Sequence, residues 1–334
     1  MGFKICVIGC GGIASGYHGP SYAKYVAENP GVELTACCDI VQEKVDSFAE
    51  RFGFTRTYRN YVEMLEKEKP DAVCLNVPPT LTCQLTCVIL RMRYPLLLEK
   101  PPGVTVDEID QMIAVANQYG VPNQVAFNRR YTPLVVALKR MLSERQNPDE
   151  IQHIRYDFSR IGRTDDDFST TAIHGIDTAS FIAGSAYAQV KFHYQEFPNL
   201  GPTTANIFMD CTFASGVTAH LNFTPVSGAV LERATVHALN HLYGLHLPVW
   251  DAFDVPGRLF HLEKGNLVED VTGPQVSGGE ENFILNGFSQ EDAAFFDDIR
   301  AGRFPQGSLE TGRQVVEIAQ CIRERRGEYR GDNG

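Results

Sequence analysis

The sequence has no apolar run approaching the ~20 residues that a membrane-spanning helix needs. No cationic segment leads into an apolar stretch at its start, so nothing there reads as an export signal. A soluble, cytoplasmic protein with no membrane partner is the expectation. Positive charge is in deficit: 30 Lys and Arg stand against 41 Asp and Glu, a net charge of −11. A chain built to grip nucleic acid carries a basic surface, so no nucleic-acid partner is expected. Metal-ligand spacing is missing too. The nine cysteines are an odd number. Cys37 and Cys38 sit in a strand-like run, and Cys83 and Cys87 lie one helical turn apart with no histidine or second pair at zinc spacing. They read as small buried hydrophobes of a reducing compartment, and no metal site is expected. Internal repeats and low-complexity segments are also absent.

What remains is ordinary globular material, 43% hydrophobic and 21% charged. Its 334 residues suit two domains better than one. The first segment organises the rest. A short apolar run, Phe3-Lys4-Ile5-Cys6-Val7-Ile8, is cut off by Gly9-Cys10-Gly11-Gly12-Ile13-Ala14. That is a buried strand entering a tight turn. Gly9, Gly11 and Ala14 fit the G-x-G-x-x-G/A fingerprint of dinucleotide binding. Gly9 turns the chain, Gly11 removes a Cβ where a pyrophosphate approaches, and Ala14 lets the next helix lie close. The helix N-terminus, with Gly12 and Ile13, offers free N–H groups to phosphates. A second apolar run, 32–38, ends in Asp39. A carboxylate there accepts hydrogen bonds from both ribose hydroxyls of NAD and repels the extra phosphate of NADP. NAD is the expected cofactor, with NADP less favoured.

Strand-like and helix-like segments then alternate. Strands are expected at 3–8, 32–38, 56–58, 72–77, 96–98 and 125–127. Helices are expected at 20–28, 41–52, 61–68, 82–93 and 105–119. His18-Gly19-Pro20 reads as an interruption, with Pro20 at a first helical position. This alternation predicts a Rossmann-type, doubly wound parallel sheet over residues 1–122. Ligands of such sheets bind at the carboxyl ends of the strands. Besides the glycine turn, Asn76 and Pro78 lie there, as do Glu99 and Lys100. Lys100 follows an apolar strand and precedes Pro101 and Pro102, so its backbone is stiff. A lysine in a partly apolar crevice makes a good proton donor or acceptor, because desolvation lowers its pKa.

Beyond residue 122 the pattern changes. After a helix at 133–143, strand-like runs follow at 151–159, 190–197, 206–213, 217–223 and 231–238. One helix, 171–183, interrupts them, and helices at 290–301 and 309–325 close the chain. Residues 123–326 are therefore expected to form an α+β domain on a large, mainly antiparallel open sheet, covered by helices on one face. Its other face suits a homodimer or homotetramer contact. Residues 327–334 read as a frayed tail.

Several motifs together resemble one family. They are Glu99-Lys100-Pro101 after the fifth strand, Asn128-Arg129-Arg130-Tyr131-Thr132-Pro133, and His174-Gly175-Ile176-Asp177. Phe295-Phe296-Asp297-Asp298-Ile299 and Leu309-Glu310-Thr311-Gly312-Arg313 add to them. The combination is similar to the glucose–fructose oxidoreductase / inositol dehydrogenase (Gfo/Idh/MocA) family across nearly the whole chain. That resemblance implies an NAD(P)-dependent oxidoreductase moving a hydride to or from a sugar, polyol or related carbonyl compound. It implies a catalytic or substrate-orienting Lys100, with His174 as its acid/base partner from the other domain. Asn128, Arg130, Tyr131 and Thr170 would lie on the substrate side, and the Lys100–Pro101 bond would be cis. The chain departs from the pattern in two places. Many members carry an aspartate four residues before the histidine, where this chain has Thr170, and Thr82 stands near a frequent histidine. Either His174 works alone, or one of Asp165, Asp166 and Asp167 replaces the aspartate, or the chain has another task. Two such tasks are an NAD-using glycosidase and a cofactor-binding regulator without turnover.

Overall fold

The computed structural model describes residues 2–331. The chain forms two compact units. The first takes in Met1–Asn128 and, from the far end of the sequence, Phe288–Val316. The second comprises Arg129–Gly287 and Glu317–Gly334.

The first unit is built on six parallel strands: β1 (Phe3–Ile8), β2 (Val32–Cys38), β3 (Arg56–Tyr58), β4 (Ala72–Leu75), β5 (Leu96–Glu99) and β6 (Asn123–Ala126). Their order is β3-β2-β1-β4-β5-β6. The order reverses beside β1, so the crevice at its carboxyl end is the natural ligand position. Every residue of β4 is buried, as a central, continuously apolar parallel strand requires, and β6 is buried too although it opens with Asn123 and Gln124. The helices between them end where the sequence says they should. Gly53 and Gly120 take left-handed conformations at helix ends, and Thr105 and Glu108 form a reciprocal capping box.

Two expectations need correction here. His18-Gly19-Pro20 does not interrupt the first helix. Helical backbone begins at Gly12 and passes through a π-turn, Ala14–His18, into the α-helix Gly19–Glu28. The Gly19 N–H bonds the Ala14 carbonyl, five residues back. Pro20 has no N–H to give and its ring crowds the preceding turn, so a widened turn lets the helix run on. The helix after β4 also starts earlier than expected, at Pro79, with proline again in the first turn.

The returning segment is part of this core. Phe295 and Phe296 of the helix Phe288–Arg300 are fully buried, and the Phe296 ring centroid lies 5.0 Å from that of Tyr25. Arg313 grips Asp110 through its Nε at 2.6 Å, and the Leu309 N–H donates to Asn123 Oδ1 at 2.9 Å.

The second unit carries nine strands: β7 (Ile151–Ser159), β8 (Tyr187–Glu196), β9 (Ala205–Phe213), β10 (Thr218–Thr224), β11 (Leu231–Ala238), β12 (His241–His246), β13 (Arg258–Glu263), β14 (Asn266–Thr272) and β15 (Glu328–Arg330). The order is β14-β13-β12-β11-β7-β10-β9-β8-β15. All neighbours are antiparallel except β7 and β10, which run parallel at the centre. The helix Ser169–Ala183 covers one face. A Cβ on Gly175 would come within 2.8 Å of the Phe223 ring, so glycine sets that close approach. The opposite face presents polar groups, among them His153, Arg155, Asp157, His220 and Asn222.

Strands β12 to β14 were not expected. Gly244 interrupts the pattern of β12, yet it is what the sheet needs there: a Cβ would collide with the Phe260 ring at 2.1 Å. The expected tail is also partly structured. β15 pairs with Gln189–Lys191 of β8, and the Tyr329 hydroxyl donates to Glu317. Residues 332–334 of that tail lie outside the described residues.

A buried charge network ties this unit together. Glu232 on β11 is fully buried and accepts from Arg129 at 2.8 and 3.2 Å, from the Tyr156 hydroxyl at 3.1 Å and from Arg160. Burial alone would raise the Glu232 pKa, but Arg129 and Arg160 outweigh it and hold it down from the ordinary 4.5 to about 2. Burial weighs against the charge on Arg160 as well, yet a guanidinium titrates so high that it stays charged. A depressed carboxyl stabilises the fold fully above its ordinary pKa and loses that effect as pH falls toward its folded value. The shift corresponds to about 3 kcal/mol. Urea denaturation should therefore show stability falling between pH 4.5 and 2. Glu232→Gln should be destabilised at pH 7 by about 3 kcal/mol or more, because two buried arginines lose their counter-charge. It should also lose that part of the acid-dependent fall. An unchanged stability difference between the two proteins from pH 5 to pH 2 would contradict this assignment.

Candidate dinucleotide site and acid/base residues

The glycine turn after β1 is fixed from two sides. Gly9 has φ of +92°, and a Cβ there would sit 2.1 Å from the Asn76 carbonyl oxygen. Glycine is thus required both for the conformation and for the contact with the end of β4. The Gly9 N–H donates to the Cys38 carbonyl and the Asn76 N–H to the Ile8 carbonyl, each at 2.8 Å. Asp39 closes the arrangement. Its Oδ2 accepts from the Cys10 N–H at 2.8 Å and its Oδ1 from the Val41 N–H at 2.9 Å. The carboxylate is thereby oriented at the mouth of the turn before any ligand arrives. A Cβ on Gly11 or Gly12 would meet nothing within 4 Å, so the space a pyrophosphate needs is open. Ala14 is buried against the sheet, and Ile13 is exposed.

A pocket of about 390 Å³ occupies this crevice. Its lining brings together Gly9, Gly11, Asp39, Asn76 and Pro78 of the residues expected to bind the cofactor. Gly12, Ile13, Ala14, Glu99 and Lys100 are not part of that lining. Two residues that sequence reasoning passed over are: Lys44, from the helix Gln42–Phe52, and Arg59, just after β3. Arg59 donates to the Ile40 carbonyl at 2.7 Å. Their signal was weak, since a cation in a helix or loop reads as solvated surface. These residues fit a dinucleotide: a cradle of open glycines, a helix N-terminus for phosphate and an oriented carboxylate for ribose.

At the end of β5, Glu99 and Lys100 are half-buried and the Lys100–Pro101 bond is cis, as the resemblance implies. Glu99 Oε1 lies 3.0 Å from His18 Nε2.

In the second unit, His174 is 8% exposed on the helix Ser169–Ala183. Its carbonyl accepts from the Thr178 hydroxyl at 2.6 Å. Arg130 is held by Asp177, with Nε 2.9 Å from Oδ2. Burial pushes the Asp177 carboxyl up and Arg130 pulls it back down. Buried Asp177, one helical turn from His174, thus pairs with half-buried Arg130, and Tyr131 is half-buried beside Arg130 in sequence. Asn128 is buried and closes the sequence stretch of the first unit. The Thr170 hydroxyl donates to the Asp167 carbonyl at 3.0 Å. Of the three aspartates weighed as substitutes for a residue at 170, two have structural partners. Asp167 accepts from the Ser169 N–H at 3.0 Å, and Asp165 pairs with Arg163 Nε at 2.8 Å.

The first unit is thus a Rossmann-type dinucleotide-binding domain. Residues 3–127 match the GFO_IDH_MocA model, described as an oxidoreductase family with an NAD-binding Rossmann fold. Over those residues the chain is thus similar to the Gfo/Idh/MocA oxidoreductases. Curated relatives include the inositol 2-dehydrogenase/D-chiro-inositol 3-dehydrogenase of Lactiplantibacillus plantarum. It is 26% identical over 200 residues, covering 56% of this chain and 54% of that protein. The D-apiose dehydrogenase of Paraburkholderia graminis is 27% identical over 142 residues, covering 42% of this chain and 36% of that protein. The chain thus spans about half the length, or less, of such relatives. Among solved structures, a levoglucosan dehydrogenase in complex with NADH and levoglucosan superposes with a TM-score of 0.83. It is 16% identical over the full length of both chains, which shows that the fold is shared. Among the described residues, no helix is long and apolar enough to cross a membrane.

The two glycines should respond differently to one methyl group. Gly9→Ala should destabilise the protein by about 3 kcal/mol or more, because the turn must open. Gly11→Ala should leave thermal stability nearly unchanged while weakening NADH binding at least tenfold. Thermal denaturation and NADH fluorescence titration test both. A stable Gly9→Ala protein would refute the close approach, and full NADH affinity in Gly11→Ala would refute the phosphate cradle.

Proposed function

We propose that the protein is an NAD-dependent oxidoreductase acting on the CH–OH group of a sugar, polyol or related compound. The observation that carries this reading is the preorganised crevice: an open glycine turn locked to an oriented Asp39 carboxylate. The match of this domain to that family and the sugar and polyol dehydrogenases among its relatives support it. Bound nicotinamide supplies the hydride acceptor. The protein has to bind the dinucleotide, place a hydroxyl-bearing carbon and take the hydroxyl proton. We assign that proton to His174. Lys100 holds the hydroxyl and stabilises negative charge developing on oxygen. Arg130 and Tyr131 contribute to the substrate side, with Asn128 and Thr170, and Thr170 acts through its hydroxyl rather than as a base.

NAD is the cofactor in this reading, because Asp39 would repel a ribose phosphate. Lys44 and Arg59 in the same pocket temper that repulsion. The protein works in the cytoplasm as a homodimer or homotetramer joined through the uncovered sheet face. The support for that assembly is the breadth of a nine-stranded sheet with one helix-covered face. Sedimentation at micromolar concentration tests it, and a monomer would refute it.

A fluorescence screen for NADH formation against sugars, polyols and sugar acids tests the activity. On a substrate so found, Lys100→Ala and His174→Ala should each lower kcat by roughly two to four orders of magnitude. NADH affinity should change far less, and Thr170→Ala should cost much less than either. Near-normal turnover in His174→Ala would remove it from the acid/base role.

Asp39→Ser should weaken NAD binding and narrow the preference over NADP. Tighter binding of NADP than of NAD by the unmodified protein, measured by titration, would overturn the cofactor assignment.

A further inference from the structure

His18 is completely buried in the first unit, and both of its ring nitrogens face carboxylates. Nδ1 lies 2.9 Å from Asp292 Oδ1 and 3.2 Å from Asp292 Oδ2. Nε2 lies 3.0 Å from Glu99 Oε1. Tyr22 stacks on one side of the ring at 5.6 Å, and Phe288 meets it edge-on at 4.9 Å. Glu291 is a further carboxylate within 4.8 Å of the same cluster. Three elements converge here: the π-turn Ala14–His18, the helix Phe288–Arg300 and the end of β5.

A neutral imidazole has one N–H to donate and one lone pair. Between two carboxylates, its lone pair would face a negative oxygen. The imidazolium donates to both. A protonated Asp292 would instead direct one oxygen at Nδ1, whereas both of its oxygens lie within 3.2 Å, as a donor N–H reaching between them requires. Burial opposes the His18 charge, but Asp292 and Glu99 outweigh it and push its pKa well above 6.5. Burial also pushes the Asp292 carboxyl up, against the pull of His18. The two-sided geometry, a carboxylate oxygen within hydrogen-bond distance of each ring nitrogen, is what a doubly protonated ring satisfies with both N–H groups donating.

Glu99 is the residue immediately before Lys100. We propose that His18 is a positioning residue, whose imidazolium ties Glu99 to Asp292 and so fixes the backbone from which Lys100 projects. This rests on the functional reading of Lys100 given above. The returning helix Phe288–Arg300 then supplies more than core packing, because its Asp292 anchors the clamp.

Three measurements on the full chain test the clamp. In nitrogen-resolved NMR, both His18 ring nitrogens should remain protonated from pH 6 to pH 9. A ring that titrates near 6.5 overturns the proposal. With the lysines carrying 13C-methyl labels, the Lys100 signal, assigned by its loss in Lys100→Arg, should move in His18→Gln. An unmoved signal overturns the proposal even if Lys100 is catalytic. A moved signal with full turnover in Lys100→Ala instead leaves the clamp standing and removes the functional reading.

On a substrate from the screen, His18→Gln should lower kcat roughly 10- to 100-fold with KM and NADH affinity changed less than about threefold. His18→Gln/Glu99→Gln should be no worse than His18→Gln alone, since both act through one contact. Additive losses, or a folded His18→Gln protein with normal kcat, overturn it. If His18→Gln does not fold, Glu99→Gln, which keeps an acceptor for the Nε2 proton, carries the same NMR and kinetic comparison.

Discussion

The Asp39 carboxylate holds the glycine turn, and the first unit is arranged around that bond. One oxygen takes the Cys10 amide and the other the Val41 amide, so the end of β2 is stapled to the end of β1. The turn in turn presses Gly9 against the Asn76 carbonyl, which brings in the end of β4. Three strand ends thus meet at the turn, and a side chain at residue 9 would break the contact with the end of β4. A carboxylate bonded to two amides keeps further lone pairs for ribose hydroxyls. Preorganisation of this kind spares the cost of ordering the loop when the cofactor binds.

The second unit uses charge differently. Glu232 lies between two arginines and a tyrosine in a fully buried position, linking β7, β11 and the segment that begins with Arg129. Such a network is costly unless every member is satisfied. His18 in the first unit follows the same rule with opposite sign, one buried cation between carboxylates. In each unit one buried ion of one sign ties together elements distant in sequence. The C-terminal stretch that resembled a family pattern does this work as well. Arg313 and Leu309 bond to Asp110 and Asn123, fastening the returning stretch to the rest of the first unit.

Much of the fold follows from local sequence. Short apolar runs, with amphipathic segments between them, were enough to read the parallel sheet. The reading failed where a local rule was overridden by a neighbour distant in sequence. Pro20 looked like a helix start because a π-turn leaves no sequence signature. Gly244 hid β12, since only the facing Phe260 ring explains a glycine there. β15 sits in a polar stretch and becomes a strand by pairing with β8. Lys44 and Arg59 reach the dinucleotide pocket from a helix and a loop that show no motif.

By itself the sequence determined the glycine turn, the acidic end of β2 and the stiff Lys100-Pro101 strand end. Each depends on backbone conformations that neighbouring residues impose. It determined the two architectures as well, because hydrophobic period is a local property. Tertiary structure alone decided which distant groups meet. Asp292 reaches His18 across 274 residues of sequence, and Glu232 reaches Arg129 across 103. It also decided that residues 288–316 join the first unit. Contacts of this range depend on how whole elements pack, and a buried charge finds its partner only once that packing exists.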